Sequence, residues 1–73
     1  MAKYTVAGAR VNAGYTQSGM ADEMGVSRAT VNAWENDRAT MKPHHVYAFC
    51  YLTGISKDDL ILPVASTASK QEE

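Results

Sequence analysis

Residues 17–36, QSGMADEMGVSRATVNAWEN, constrain this chain more than any other stretch. Met20, Ala21 and Met24 fall at i, i+1 and i+4, which gives a short helix one apolar face. Gly25 follows, where a helix can stop and the backbone can turn at positive φ. Ser27 then offers a hydroxyl cap for a second helix. On that helix Val31, Trp34 and Glu35 fall on an inner face, while Arg28, Ala29, Asn32 and Ala33 share the outer one. A helix held by its apolar side, with small and polar residues outside, has the size and chemistry to enter a DNA major groove.

The flanking sequence extends this helical pattern. Helix one is expected from about Thr5 to Ala13, with Val6, Ala9 and Ala13 inward and Gly14 ending it. Thr16 is a natural N-cap for helix two, with Tyr15 before it as a hydrophobic staple. Helix two runs from Gln17 to Met24 and helix three from Arg28 to about Asn36, followed by a loop from Asp37 to Lys42. Pro43 suits the first position of helix four, where its missing N–H costs nothing. Val46, Phe49, Cys50 and Thr53 make the inward stripe of that helix, and Gly54 caps it. Ser56 with Asp59 resembles a capping box that opens a short fifth helix carrying Leu60. The expected fold is therefore all-α, five short helices over residues 1–63. Residues 64–73, small and polar after Pro63, read as a disordered tail.

With 73 residues there is room for one domain, and its core is small enough to need close packing or association. The net charge of −1 argues mildly against nucleic-acid binding, since such domains are often basic. Its distribution weakens that objection. Asp58, Asp59, Glu72 and Glu73 lie near the C-terminus, whereas Arg28, Arg38 and Lys42 gather around helix three. Screening limits each charge to about 8 Å, so the local field matters more than the sum. The single cysteine, Cys50, has no partner for an internal disulfide and reads as a small core residue in a reducing compartment. With no signal peptide and no apolar run long enough for a membrane, a cytoplasmic location is expected.

The chain resembles the Cro and repressor type of helix-turn-helix protein, the XRE family. The resemblance covers roughly residues 6–62. Gln17 stands where the family opens helix two with glutamine, Ala21 where the two helices touch, and Gly25 in the turn. Val31 matches the mid-helix aliphatic, and Trp34, Glu35 and Asn36 match the end of the recognition helix. A Pro-led helix and Gly-Ile-Ser match the family's fourth and fifth helices. Two positions depart from the pattern. Gly19 weakens the start of helix two, and Asp37 stands where a glycine or small residue is usual, close to an expected phosphate. The resemblance implies that Arg10 pairs with Glu35 as a structural ion pair. It also implies that Gln17 bridges a phosphate and the start of the recognition helix.

On this reading Arg28 pairs with guanine O6 and N7, and Asn32 with adenine N6 and N7. Ala29 and Ala33 offer methyls to thymine or simply permit close approach. Ser27 combines capping with a phosphate or base-edge contact. Thr16 and Gln17 on one side, and Asn36, Arg38, Thr40 and Lys42 on the other, would face the DNA backbone. Each has a plainer reading: a solvated arginine, alanines chosen for helix propensity, cations that only solubilise. Leu60, Ile61 and Leu62 would hold a homodimer, with Ile61 and Leu62 on different sides of the fifth helix. The implied partner is a double-stranded DNA operator, and no cofactor is called for. His44 and His45 are adjacent and do not share a helix face, so they make a poor metal pair. No nucleophile–base pair or phosphate loop suggests an enzyme. The function expected is that of a transcriptional regulator, a repressor acting as a dimer, in a chain that looks like a phage or prophage Cro-type protein. A restriction-modification controller or an antitoxin fits the same pattern. From another class, a protein–protein adaptor on this fold stays open.

Overall fold

Helix ends carry most of the information about why this sequence folds as it does. In the computed structural model, residues 3–63 are described; the expected tail at 64–73 lies outside them. Strand β1 (Tyr4–Thr5) leads into α1 (Val6–Asn12), α2 (Gln17–Met24), α3 (Arg28–Glu35) and α4 (Pro43–Thr53). A 3-10 turn (Lys57–Asp59) and strand β2 (Leu60–Ile61) follow. Three hydroxyls open the first three helices. Thr5 accepts from the Gly8 N–H at 3.0 Å, Thr16 from Gly19 at 2.9 Å and Ser27 from Thr30 at 3.1 Å. Each meets one of the N–H groups that a helix start leaves without an internal partner. Helix α4 has no such cap and begins instead with Pro43.

The C-terminal ends of α1, α2 and α3 share one device, a pair of bonds that reach back five and three residues. After α1, Tyr15 donates to the Arg10 carbonyl at 3.1 Å and Gly14 to Val11 at 3.0 Å. After α2, Val26 donates to Ala21 at 3.0 Å and Gly25 to Asp22 at 3.4 Å, with Gly25 at φ 71°. After α3, Arg38 donates to Ala33 at 2.9 Å and Asp37 to Trp34 at 3.4 Å. There Asp37 takes the left-handed conformation at φ 56°, the position glycine fills after α2. That explains the departure seen in the sequence. Aspartate tolerates left-handed backbone better than most side chains, so the same turn closes without glycine.

Helix α2 packs most extensively on α3. Ala21 is buried in the core, and its small side chain permits a close crossing. Met20, Val31 and Phe49 are the largest fully buried side chains, and Val6, Ala9, Trp34, Ile55 and Leu60 complete the cluster around them. Close packing fixes α3 along its whole inner side, so its outer face is presented by a rigid support.

The fold differs from the sequence expectation at its edges. Among the described residues there is no fifth α-helix: the class holds, with four α-helices and a 3-10 turn. Ser56 Oγ accepts from Asp58 N–H at 3.2 Å, and Asp59 N–H bonds the Ser56 carbonyl at 2.9 Å, which closes a single tight turn. Pro63 disfavours helical backbone at the residue before it, so little length remains for a helix. Leu60 and Ile61 extend and pair in parallel with Tyr4 and Thr5, and Lys3 N–H adds a bond to the Asp59 carbonyl at 2.8 Å. Helix α1 begins at Val6, since Thr5 is its extended cap, and α3 ends at Glu35. Ala13 caps α1 and is half-buried. Cys50 and Thr53 are also half-buried, with the Thr53 hydroxyl donating to the Phe49 carbonyl at 2.8 Å.

The strand places Leu60 in the core at 5% exposure and Ile61 outside at 48%. Replacing Leu60 by alanine should lower the unfolding free energy by about 2–5 kcal/mol, whereas Ile61→Ala should cost less than about 1 kcal/mol. Urea denaturation of the two variants checks the register; equal losses would contradict it.

Candidate nucleic-acid interface

Helix α3 carries the candidate surface. Arg28 and Ala29 are exposed in its first turn; Asn32 and Ala33, one turn later, are half-buried. Val31 and Trp34 are buried behind them. Among the described residues the Arg28 guanidinium makes no hydrogen bond or ion pair, so its five donors are available. The methyls of Ala29 and Ala33 leave the backbone approachable.

Several neighbours differ from the simple picture. Ser27 Oγ, besides its capping bond, lies 2.9 Å from Thr30 Oγ1. Thr30 was not singled out in the sequence, although a hydroxyl residue three positions after a capping serine was the available signal. If Thr30 donates, Ser27 has its own hydrogen left for an outside acceptor. The Asn36 side chain turns back on α3. Its Nδ2 donates to the Asn32 carbonyl at 2.9 Å and to Asn32 Oδ1 at 3.2 Å. The two asparagines at i and i+4 were the sequence signal for this contact. Arg38, Thr40 and Lys42 are exposed on the loop after α3. Thr16 is exposed at the start of α2, where its hydroxyl is committed to the cap.

Behind the face, one carboxylate ties three helices together. Arg10 Nε of α1 donates to Glu35 Oε2 at 2.5 Å, and Arg10 Nη2 to Glu35 Oε1 at 3.3 Å. Gln17 Nε2 of α2 donates to the same Oε1 at 3.0 Å. Arg10 Nη1 donates to the Tyr15 carbonyl at 2.7 Å, while the Arg10 carbonyl accepts from Tyr15 N–H. Only 14% of the arginine and 8% of the glutamate side chain is exposed. Gln17 thus reaches the C-terminal end of α3 and not its start, correcting the bridge implied by the resemblance. Its second amide hydrogen remains for a phosphate.

On α4 the two histidine rings do meet, contrary to the argument from helix faces: their centroids are 4.1 Å apart, and His45 also lies 5.2 Å from the Trp34 ring. Removal from water, then the charges of His44 and Lys42, lower the His45 pKa below its usual value. Burial raises that of the Cys50 thiol, with Lys57 opposing. Among the described residues no group of three or more His, Cys, Asp or Glu is placed to hold a metal ion. No helix there is long and apolar enough to cross a membrane.

Replacing Glu35 by alanine strands the Arg10 charge in a nearly dry site, at a cost of about 3–5 kcal/mol. The melting temperature should fall, and adding Arg10→Ala should recover part of the loss. Thermal melts of both single variants and the double give the coupling; strict additivity would mean that the pair acts as two independent groups.

A sequence profile of the helix-turn-helix family matches residues 7–60. Comparison with curated proteins and with solved structures found no match. The matched span contains the whole geometry described above: α2, the left-handed turn at Gly25, α3 with its outward face, and the Arg10–Glu35 tie behind it. The chain belongs to the Cro/C1-type, or XRE, family of helix-turn-helix DNA-binding transcription regulators.

Proposed function

We propose that this regulator is a repressor that binds a palindromic operator as a two-fold dimer, laying α3 in the major groove of each half-site. The observation that carries this reading is the outer face of α3. It joins an uncommitted guanidinium, a carboxamide and two methyls on one side of a helix whose other side is buried. Arg28 would read guanine through O6 and N7, Asn32 adenine, and Ala29 and Ala33 would lie against thymine methyls. Gln17, Arg38, Thr40 and Lys42 would hold phosphates and set the register of the helix. Repression would follow from occupancy, with a bound dimer covering promoter DNA.

A geometric argument supports the dimer. One recognition helix touches few base pairs, too few for selectivity among many competing sites. A second copy about 34–36 Å away on the same face of the duplex doubles the contact. Leu60 belongs to the core, so the proposed interface rests on Ile61 and Leu62, at 48% and 37% exposure. Two such side chains form a small patch, which suits weak association in solution completed by DNA. An adaptor reading draws on the net charge of −1 and on Tyr47 and Tyr51, exposed at 70% and 86%. Salt dependence separates the two: phosphate binding falls by about 0.9 log units per contact per log unit of salt, and an adaptor binds no DNA even at low salt.

Arg28→Ala should preserve the fold and weaken operator binding by about 1–3 kcal/mol, with relaxed preference at one base pair per half-site. Competition binding with single-substituted duplexes measures this; parental affinity in the variant would exclude Arg28 as a reader. The mass of the complex on a palindromic duplex should be that of two protomers. Ile61→Asp with Leu62→Asp should reduce it to one, and an unchanged mass would move the interface elsewhere.

A further inference from the structure

We propose that Asn36 is a positioning residue: it holds the Asn32 carboxamide in the orientation that selects adenine over guanine, and it does not grip a phosphate. The inference rests on α3 being the reading helix and specifies how one part of its face discriminates. The sequence placed Asn36 among the backbone contacts, and its hydrogen bonds argue otherwise. A carboxamide nitrogen carries two hydrogens. Those of Asn36 have two acceptors, the Asn32 carbonyl at 2.9 Å and Asn32 Oδ1 at 3.2 Å. The Asn36 backbone N–H is directed at the same Asn32 carbonyl, 3.1 Å away. Every donor of Asn36 therefore points back at α3. A phosphate oxygen only accepts, and what Asn36 has left is Oδ1, itself an acceptor.

The consequence falls on Asn32. A carboxamide is nearly symmetric in shape, and a free one can turn over and exchange its oxygen and nitrogen. The donor from Asn36 fixes the oxygen end. Turning over would set the Asn32 NH2 against the Asn36 NH2. Pinned in this way, Oδ1 keeps a lone pair and Nδ2 keeps both hydrogens. That order, acceptor beside donor, complements adenine, which presents the N6 donor and the N7 acceptor in the major groove. Guanine presents two acceptors, O6 and N7, so the pinned oxygen would face O6 without a hydrogen between them. Asn36 thereby acts on sequence preference through Asn32 while touching no base.

The test is competition binding with duplexes that vary one base pair at a time, on the parent and on Asn36→Ala. The parent is measured first; absence of any base preference would overturn the reading of α3 itself, separately from this proposal. In Asn36→Ala, the preference for adenine over guanine should drop by at least about fivefold at one position per half-site. Preference at the position set by Arg28 and the slope of affinity against salt should stay as in the parent. Asn36→Asp, which puts an acceptor beside Oδ1, should turn the carboxamide over and raise tolerance of guanine at that same position. Should Asn36→Ala lose stability, the Asn32→Ala background decides: adding Asn36→Ala there should leave base preferences unchanged. A uniform loss of affinity across all duplexes with a shallower salt slope would show a phosphate contact and overturn the proposal. So would an unchanged preference at every position, or a shift in preference that persists without Asn32.

Discussion

Glu35 is the group on which the arrangement of the helices depends. Its two oxygens take bonds from α1 through Arg10 and from α2 through Gln17, and it stands on the last turn of α3. Arg10 in turn holds the Tyr15 carbonyl in the link between α1 and α2. A buried ion pair is a weak source of net stability, because desolvation offsets much of the attraction. Its value here is angular. Apolar contacts among Met20, Val31 and Phe49 are non-directional and would tolerate small rotations of α3. A forked, hydrogen-bonded carboxylate does not, since its bonds weaken steeply off line. A helix whose outer face is to keep one fixed orientation benefits from that constraint.

The helix-turn-helix was legible because its information is local. Caps at Thr16 and Ser27, the glycine at 25 and the apolar periodicity of Met20, Val31 and Trp34 all act within one or two turns, and all appear in place. What could not be read depends on residues far apart in sequence. The segment Leu60–Ile61 carries no local sign of a strand; it becomes a two-residue one because Tyr4–Thr5 lies beside it. Ser56 and Asp59 have the spacing of a capping box, yet the turn closes after three residues because Pro63 leaves no length for a helix. At the site, residue types and faces could be read, whereas partners could not. Asn36 and Gln17 looked like groups turned toward phosphate, and both spend donors on the protein itself.

The nearly neutral chain is compatible with DNA binding because its charges are segregated in use. Glu35 is neutralised by Arg10 inside the protein and projects little field outward. Arg28, Arg38 and Lys42 are exposed on α3 and the loop that follows, with Asp37 also exposed among them, so the cations outnumber the acid there. At physiological salt, fields fade within about 8 Å, so acidic residues elsewhere subtract little from them. A protein of this charge has a small electrostatic term for DNA of any sequence, and under the proposed reading of α3 base contacts would carry proportionally more of the affinity. The small, shaped outer face of α3, with two alanines flanking Arg28 and Asn32, fits that division.

Strand β1 pairs with β2 in the register Tyr4 to Leu60 and Thr5 to Ile61, so the earliest described element is locked by the latest. The consequence is temporal. Chain emerging from a ribosome carries the caps of α1 to α3 early. Helices of seven or eight residues nonetheless hold little shape without tertiary packing, and Tyr4 lacks its strand partner until Leu60 arrives. Closing so long a loop carries an entropic cost that local turns avoid. The clasp therefore forms after the helix-turn-helix, and the full hydrophobic seal of Val6 against the core waits for nearly the entire described chain to be made. Synthesis halted before residue 60 would release a chain whose core lacks Leu60 and whose first strand has no partner.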